Sequence, residues 1–320
     1  MTSKTPRLAI VVPCYNEEKA LPITADALLN LLDQMSAESL IGDDSYILCV
    51  NDGSRDLTWE TIEQLHSKDS RLKGISLAHN RGHQNALLAG LMTAMDHCDI
   101  AVSIDADLQD DPEAIVEMVK KYRDDDAEIV FGVRSSRESD TWFKRVTAHG
   151  FYSFQNSMGL ETVYDHADYR LMSNRALKLL SEYVEQNLFL RGIIPLIGLK
   201  TAIVTYVRNP RVAGESKYPL SKMLSFSIDG ITSFSARPMR WIFLTGISLL
   251  LIDIIVALYI LGSYWFGDSV VPGWTSLMLS VWFLGSLILI AIGIVGEYIG
   301  KIFIEVKHRP RYAIEKSLLN

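Results

Sequence analysis

Ile100-Ala101-Val102-Ser103-Ile104-Asp105-Ala106-Asp107-Leu108-Gln109-Asp110 is the stretch from which the fold can be read. A short apolar run stops abruptly at a group of acids, and Pro112 to Tyr122 follows with helical spacing. The segment therefore reads as strand, loop and helix. The same order recurs upstream: Leu8 to Val12 ended by Pro13, then a helical pattern through Leu21, Ala25, Leu28, Leu29 and Leu32; Tyr46 to Val50, then Asp56 to Leu65; Leu72 to Leu77, then Gln84 to Met95. A fifth strand is expected at Glu128 to Val133. Such alternation predicts an α/β domain with a mainly parallel sheet covered by helices on both faces. In these sheets ligands bind beyond the carboxyl ends of the strands.

The residues at those ends are polar and clustered. They are Pro13-Cys14-Tyr15-Asn16-Glu17-Glu18, Asn51-Asp52-Gly53-Ser54, Asn80-Arg81-Gly82-His83 and Asp105-Ala106-Asp107-Leu108-Gln109-Asp110. No G-x-G-x-x-G follows the first strand and there is no Walker A lysine motif, which disfavours a dinucleotide fold or a P-loop NTPase. Asp105-x-Asp107 ends an apolar strand, where two oxygen ligands can hold a hard divalent cation that keeps positions open for phosphate oxygens. Asp52 could accept a hydrogen bond from a base or ribose, or serve as a turn residue of its Asn-Asp-Gly corner.

Val12-Pro13-x-Tyr15-Asn16-Glu17-Glu18, Asn51-Asp52-Gly53-Ser54, Asn80-x-Gly82-x-x-x-Ala86 and Asp105-Ala106-Asp107-Leu108-Gln109-Asp110-x-Pro112-Glu113 resemble family 2 inverting glycosyltransferases with a GT-A fold. More closely, the chain is similar to polyprenyl-phosphate glycosyltransferases, the group that contains bactoprenol glucosyltransferase and dolichol-phosphate mannose synthase. Asp165-x-x-Asp168-Tyr169-Arg170-Leu171 and Arg211-x-x-Gly214-Glu215-Ser216-Lys217-Tyr218 extend the resemblance toward the C-terminal apolar region. Asn51 departs from the pattern, since many relatives carry an Asp there.

The resemblance implies a role for each matching position. Pro13, Tyr15, Glu17, Asp52, Arg81, Asp105, Ala106 and Asp107 would bind the nucleotide sugar, and Asp105, Asp107 and Gln109 would hold Mg2+ or Mn2+ against its diphosphate. Asp107, Asp168, Arg211 and Lys217 would form the catalytic set, with Asp168 either orienting sugar and acceptor or abstracting a proton; a salt bridge from Asp168 to Arg170 or Arg175 is the competing assignment. Arg170, Arg191, Arg211, Ser216 and Lys217 would meet the diphosphate or acceptor; a solvated surface cation is the competing assignment for each Arg or Lys. A lipid monophosphate has a second pKa of about 6, so its oxygen is already deprotonated at neutral pH. What remains is to bring two anions together, which requires fixed cations. The expected reaction is transfer of a hexose to polyprenyl (undecaprenyl) phosphate. The first expectation for the donor is UDP-glucose, and GDP-mannose is the alternative. A processive polysaccharide synthase is disfavoured because Gln186 to Arg191 lacks the spacing and the Trp of a Q-x-x-R-W motif. An inactive nucleotide-sugar sensor is disfavoured by the acids and cations retained.

Composition sets the surroundings. The 320 residues are 48% hydrophobic and 22% charged, with a net charge of −7, which excludes a disordered chain and argues against nucleic acid as a partner. Cys14, Cys49 and Cys98 have no paired spacing and read as reduced thiols. From Trp241 to Gly300 there is no Lys or Arg. Residues 241–261 and 274–299 each reach the roughly 20 residues that span a bilayer, and 262–273 would be the extracytoplasmic loop between them. Arg237 and Arg240 before the pair and Lys301, Lys307, Arg309 and Arg311 after it predict a two-pass protein of the plasma (inner) membrane with both termini cytoplasmic. Residues 1–214 would then form the cytoplasmic catalytic domain, 215–240 an amphipathic juxtamembrane helix and 300–320 a cytoplasmic tail. Asp253 and Gly296-x-x-x-Gly300 suggest helix packing within the membrane or between copies in a homo-oligomer.

Overall fold

The computed structural model describes residues 5–134, 166–186, 188–208 and 273–319, with shorter stretches between 239 and 258. Arg211, Ser216, Lys217, Asp253 and nearly all of the juxtamembrane segment 215–240 lie outside the described residues.

Four strand-helix pairs run as expected: β1 (Leu8–Cys14) and α1 (Leu21–Ala37), β2 (Tyr46–Asn51) and α2 (Thr58–Lys68), β3 (Leu72–Leu77) and α3 (His83–Met95), β4 (Ile100–Ser103) and α4 (Ala114–Asp124). Every residue of β1, β2 and β4 is buried, because helices cover both faces and a continuous apolar run is then the stable composition. Helix α2 starts at Thr58, not Asp56, since the Asp56 carboxylate accepts hydrogen bonds from the Thr58 N–H and hydroxyl at 3.1 and 2.6 Å. β5 (Ile129–Arg134) follows, then β6 (His166–Ser173), α5 (Asn174–Ser181), α6 (Leu190–Leu196) and β7 (Thr201–Tyr206).

The sheet has eight strands in the order β7-β5-β6-β4-β1-β2-β3-β8, where β8 is Ile314–Leu318. It is more mixed than the sequence suggests. β1 pairs in parallel with β2 and β4, β2 with β3, and β5 with β7. β6, however, lies antiparallel between β4 and β5, and β8 is antiparallel to β3. The C-terminal residues are therefore more than a tail. Lys316 lies over the Trp59 ring at 5.7 Å, and Lys73 Nζ donates to the Leu319 carbonyl at 2.5 Å, so β8 closes an edge that would otherwise leave a row of unpaired backbone groups.

The strands and helices α1 to α6 belong to one compact unit, and the apolar C-terminal region forms a second. In the second, α7 (Trp274–Val306) runs 33 residues, beyond the expected end at 299. Within its segment Phe283–Val306 an 18-residue stretch has a mean hydropathy of 2.1 and none of that stretch is buried, and it is the single helix among the described residues long and apolar enough to cross a bilayer. The described residues within 241–258 are helical, and Leu244, Leu251 and Ile255 are exposed. All three cysteines are free and buried.

Candidate active site

The loops after β1 and β2 are fastened to each other by side chains capping backbone. Ser54 Oγ accepts from Asn16 N–H and Asn16 Oδ1 from Arg55 N–H, at 3.0 and 2.9 Å. Thr58 Oγ1 accepts from Glu17 N–H, and Glu18 Oε2 from Leu57 N–H. Asn16 holds a φ of 57°, the left-handed region that Asn tolerates better than most residues. This zipper explains the polar run: Asn16, Glu18 and Ser54 shape the rim, Pro13 stays buried in β1, and Tyr15 is 43% exposed above it. Asn51 bonds Ser76 Oγ through its amide N–H and accepts from Ser54 N–H, a pair of roles that an ionised Asp could not combine.

Asp52 is spent on the neighbouring loop. Its two carboxylate oxygens accept from Arg81 N–H at 2.7 Å and Gly82 N–H at 2.9 Å, where Gly82 has a φ of 85° and a turn reverses the chain into α3. Burial pushes the Asp52 carboxyl up, and the two N–H groups oppose that shift. Asp52 thus fixes the turn that carries Arg81, whose side chain is exposed.

The Asp-x-Asp loop leaves β4 at the centre of the sheet. Thr24 Oγ1 donates to the Ala106 carbonyl at 2.6 Å, and Asp107 Oδ1 accepts from Gln109 N–H at 3.1 Å. Gln109 Oε1 accepts from Arg208. Asp110, only 2% exposed, takes Tyr206 OH at 2.6 Å and Arg134 Nη2 at 3.0 Å, so the loop is tied to the ends of β5 and β7. Burial pushes the Asp105 carboxyl up; His83 opposes this while Asp110, Asp168 and Asp107 add to it. Such a gathering of hard oxygen donors fits Mg2+ or Mn2+. Among the described residues no group of three or more His, Cys, Asp or Glu is placed to hold a metal ion together.

Asp168 arrives from β6. Arg170 Nη2 donates to its Oδ1 at 2.5 Å, Arg191 Nε to Oδ1 at 3.2 Å and Arg191 Nη2 to Oδ2 at 3.1 Å. Burial raises this carboxyl, but the His83 contact and the charges of Arg170 and Arg191 outweigh it and hold Asp168 well below the usual carboxylate range. The two arginines differ in reach. Arg170 is 1% exposed and bears on the site through Asp168, whereas the Arg191 side chain is 37% exposed.

His83 is the first residue of α3 and a site residue that the sequence reading does not assign. Its Nε2 lies 3.8 Å from Asp105 Oδ1 and 3.6 Å from Asp168 Oδ2. Burial pulls the imidazole down, yet Asp168 and Asp105 more than reverse this and leave it raised. The signal in the sequence was its place directly after Gly82, the last residue of the loop between β3 and α3; Asp110 and Arg134 gave no comparable hint of their pairing.

Comparison with known proteins shows the family and the fold. The sequence profile described as Glycosyl transferase family 2 matches residues 9–180. An uncharacterized glycosyltransferase, YkoT, of Bacillus subtilis is 49% identical over 320 residues, covering 100% of this chain and 94% of that protein. The SfII prophage-derived bactoprenol glucosyl transferase of Shigella flexneri is 37% identical over 316 residues, covering 97% and 98%. Among solved structures, mannosyl-3-phosphoglycerate synthase from Rubrobacter xylanophilus superposes with a TM-score of 0.52 at 15% identity, covering 74% of each chain, a likeness of fold.

Proposed function

Because the chain belongs to glycosyl transferase family 2, we propose that it transfers a hexose from a nucleotide sugar to polyprenyl phosphate at the cytoplasmic face of the membrane, with UDP-glucose as the donor and undecaprenyl phosphate as the acceptor. The observation that carries this reading is the cation cluster on Asp168, Arg170 and Arg191 with His83 beside them, set against Asp105 of the metal loop. It supplies positive charge where two phosphate-bearing substrates must meet. Near-full-length similarity to a bactoprenol glucosyl transferase supports the lipid acceptor.

Asp105 and Asp107, with Gln109 nearby, would hold Mg2+ or Mn2+, which as a Lewis acid stabilises charge gathering on a departing nucleoside diphosphate. Tyr15, Glu17 and Arg81 face the donor from the fastened loops, and Asp52 keeps Arg81 in place. Arg191 offers its exposed guanidinium edge to the acceptor phosphate, in the bidentate manner suited to phosphate oxygens. Asp168, ionised and engaged by both arginines, orients Arg191; the lipid phosphate needs no base. Arg211, Ser216 and Lys217 complete the acceptor side in this reading.

Strand β8 supports the two-pass arrangement. The chain leaves the sheet after β7 and rejoins it at β8, so a bilayer crossing by α7 requires a second crossing between 207 and 273, and 241–261 is the apolar candidate. The basic flanks orient the pair with the sheet in the cytoplasm.

Labelled-sugar transfer from a panel of UDP- and GDP-hexoses to undecaprenyl phosphate tests the reading, with Mg2+, Mn2+ or EDTA and with Asp107→Ala. Metal-dependent labelled lipid from UDP-glucose, lost in the variant, is expected. Labelled lipid from GDP-mannose alone would replace the donor, and no labelled lipid from any donor would overturn the acceptor.

A further inference from the structure

His83 stands where the donor half and the acceptor half of the site meet. Gly82, at a φ of 85°, turns the chain so that α3 begins with a side chain reaching across the strand ends. Its Nε2 is 3.8 Å from Asp105 on the metal loop and 3.6 Å from Asp168 on β6; among the described residues no other side chain makes ion-pair contacts with both carboxylates. The next residue reinforces the link, since Gln84 Oε1 accepts from Leu190 N–H at 2.9 Å and so places α6, which carries Arg191 to Asp168. The first turn of α3 thus contacts Asp168 and the start of α6, while its own entry turn is pinned by Asp52.

We propose that His83 is a positioning residue that couples the metal loop to the acceptor cluster, its imidazole standing between the Asp105 and Asp168 carboxylates and fixing their separation. The inference rests on the proposed transfer reaction. Nε2 is in contact with an oxygen of each carboxylate, so one imidazole position sets one spacing between them. The spacing matters because the acceptor oxygen must lie within reach of the sugar carbon, and a misplacement of about 1 Å can cost about 100-fold in rate. No bond to His83 is made or broken.

The test compares full-length wild type with His83→Ala and His83→Gln in detergent, reading nucleotide affinity by calorimetry with Mn2+ and UDP, and kcat and acceptor KM by labelled-sugar transfer. Gln can return an N–H to the place of Nε2. His83→Ala should bind UDP within about twofold of wild type yet lose roughly 10- to 100-fold in kcat/KM for the acceptor, and His83→Gln should recover most of that loss. Transfer by His83→Ala at the wild-type rate overturns the proposal, as does a fall in UDP affinity that matches the fall in rate, or a Gln variant no better than Ala. If wild type transfers to no polyprenyl phosphate, the acceptor assignment fails on its own. The same three proteins are then compared by metal-dependent release of UDP from the donor to water, where equal rates overturn the coupling role and a selective loss in His83→Ala supports it. A wild type without either activity overturns both.

Discussion

Ser103 on β4 lies opposite Arg170 on β6 in an antiparallel pair, and this register carries Asp168 to the level of Asp105. Ser103 Oγ donates to the Asp168 carbonyl at 2.5 Å and fastens the pairing. A slip of one residue would turn Asp168 to the other face of the sheet.

Asp168→Asn should therefore lower both turnover and stability. It leaves Arg170, whose side chain is fully buried, without its counter-charge, and breaking a buried pair by removing one partner costs about 3–5 kcal/mol. Because the folded carboxyl titrates below its unfolded value of about 3.9, the stabilisation is complete above that pH and is lost as pH falls through the lower, folded value. The gap between the two proteins' melting temperatures should hold steady from neutral pH to about pH 4 and begin to narrow below it; a gap that does not narrow toward pH 3 would mean that the folded carboxyl is not held low.

Asp52→Asn tests whether Asp52 acts by holding a loop. The amide keeps the shape but turns an NH2 toward one of the two N–H groups that now donate to it, and a stranded polar group costs about 1–3 kcal/mol. UDP affinity should fall roughly 5- to 100-fold by that energy, with kcat less affected. Calorimetric titration decides, and wild-type affinity would remove Asp52 from the donor site.

Gly90→Ala should destabilise the domain. A Cβ there would collide with Val11 Cγ1 and meet Val50 Cγ2 at 2.7 Å, where α3 presses on β1 and β2. Helix propensity alone would favour Ala by about 1 kcal/mol, but overpacking against stiff β-branched side chains costs about 1–3 kcal/mol. A melting temperature at or above that of wild type would show that α3 can move away.

Two introduced cysteines report topology against a background in which the three native thiols are buried. In intact cells Ser269→Cys should react with a membrane-impermeant maleimide, whereas Glu315→Cys, exposed on β8, should react only after permeabilisation. Labelling of both from one side would refute the hairpin.

The order of β1 to α4 was legible because each element is a local pattern: an apolar run, a polar stop, then helical spacing. The donor loops were legible for the same reason, since all four follow strand ends. A salt bridge from Asp168 to Arg170 was legible in the Asp-Tyr-Arg spacing and the structure shows it, but nothing local marked the Arg170 side chain as fully buried and that of Arg191 as partly exposed.

By itself, the sequence determined the strand-helix alternation, the polar strand ends, the Asp-x-Asp loop and the apolar C-terminal segments, all of them set by neighbours within a few residues. Tertiary structure decided that β6 enters antiparallel between β4 and β5, that β8 returns to the sheet edge, and that His83 stands between Asp105 and Asp168. Those outcomes depend on contacts between residues from 22 apart, His83 and Asp105, to 244 apart, Gly74 and Leu318, where backbone hydrogen bonding and burial select a partner that no local periodicity names.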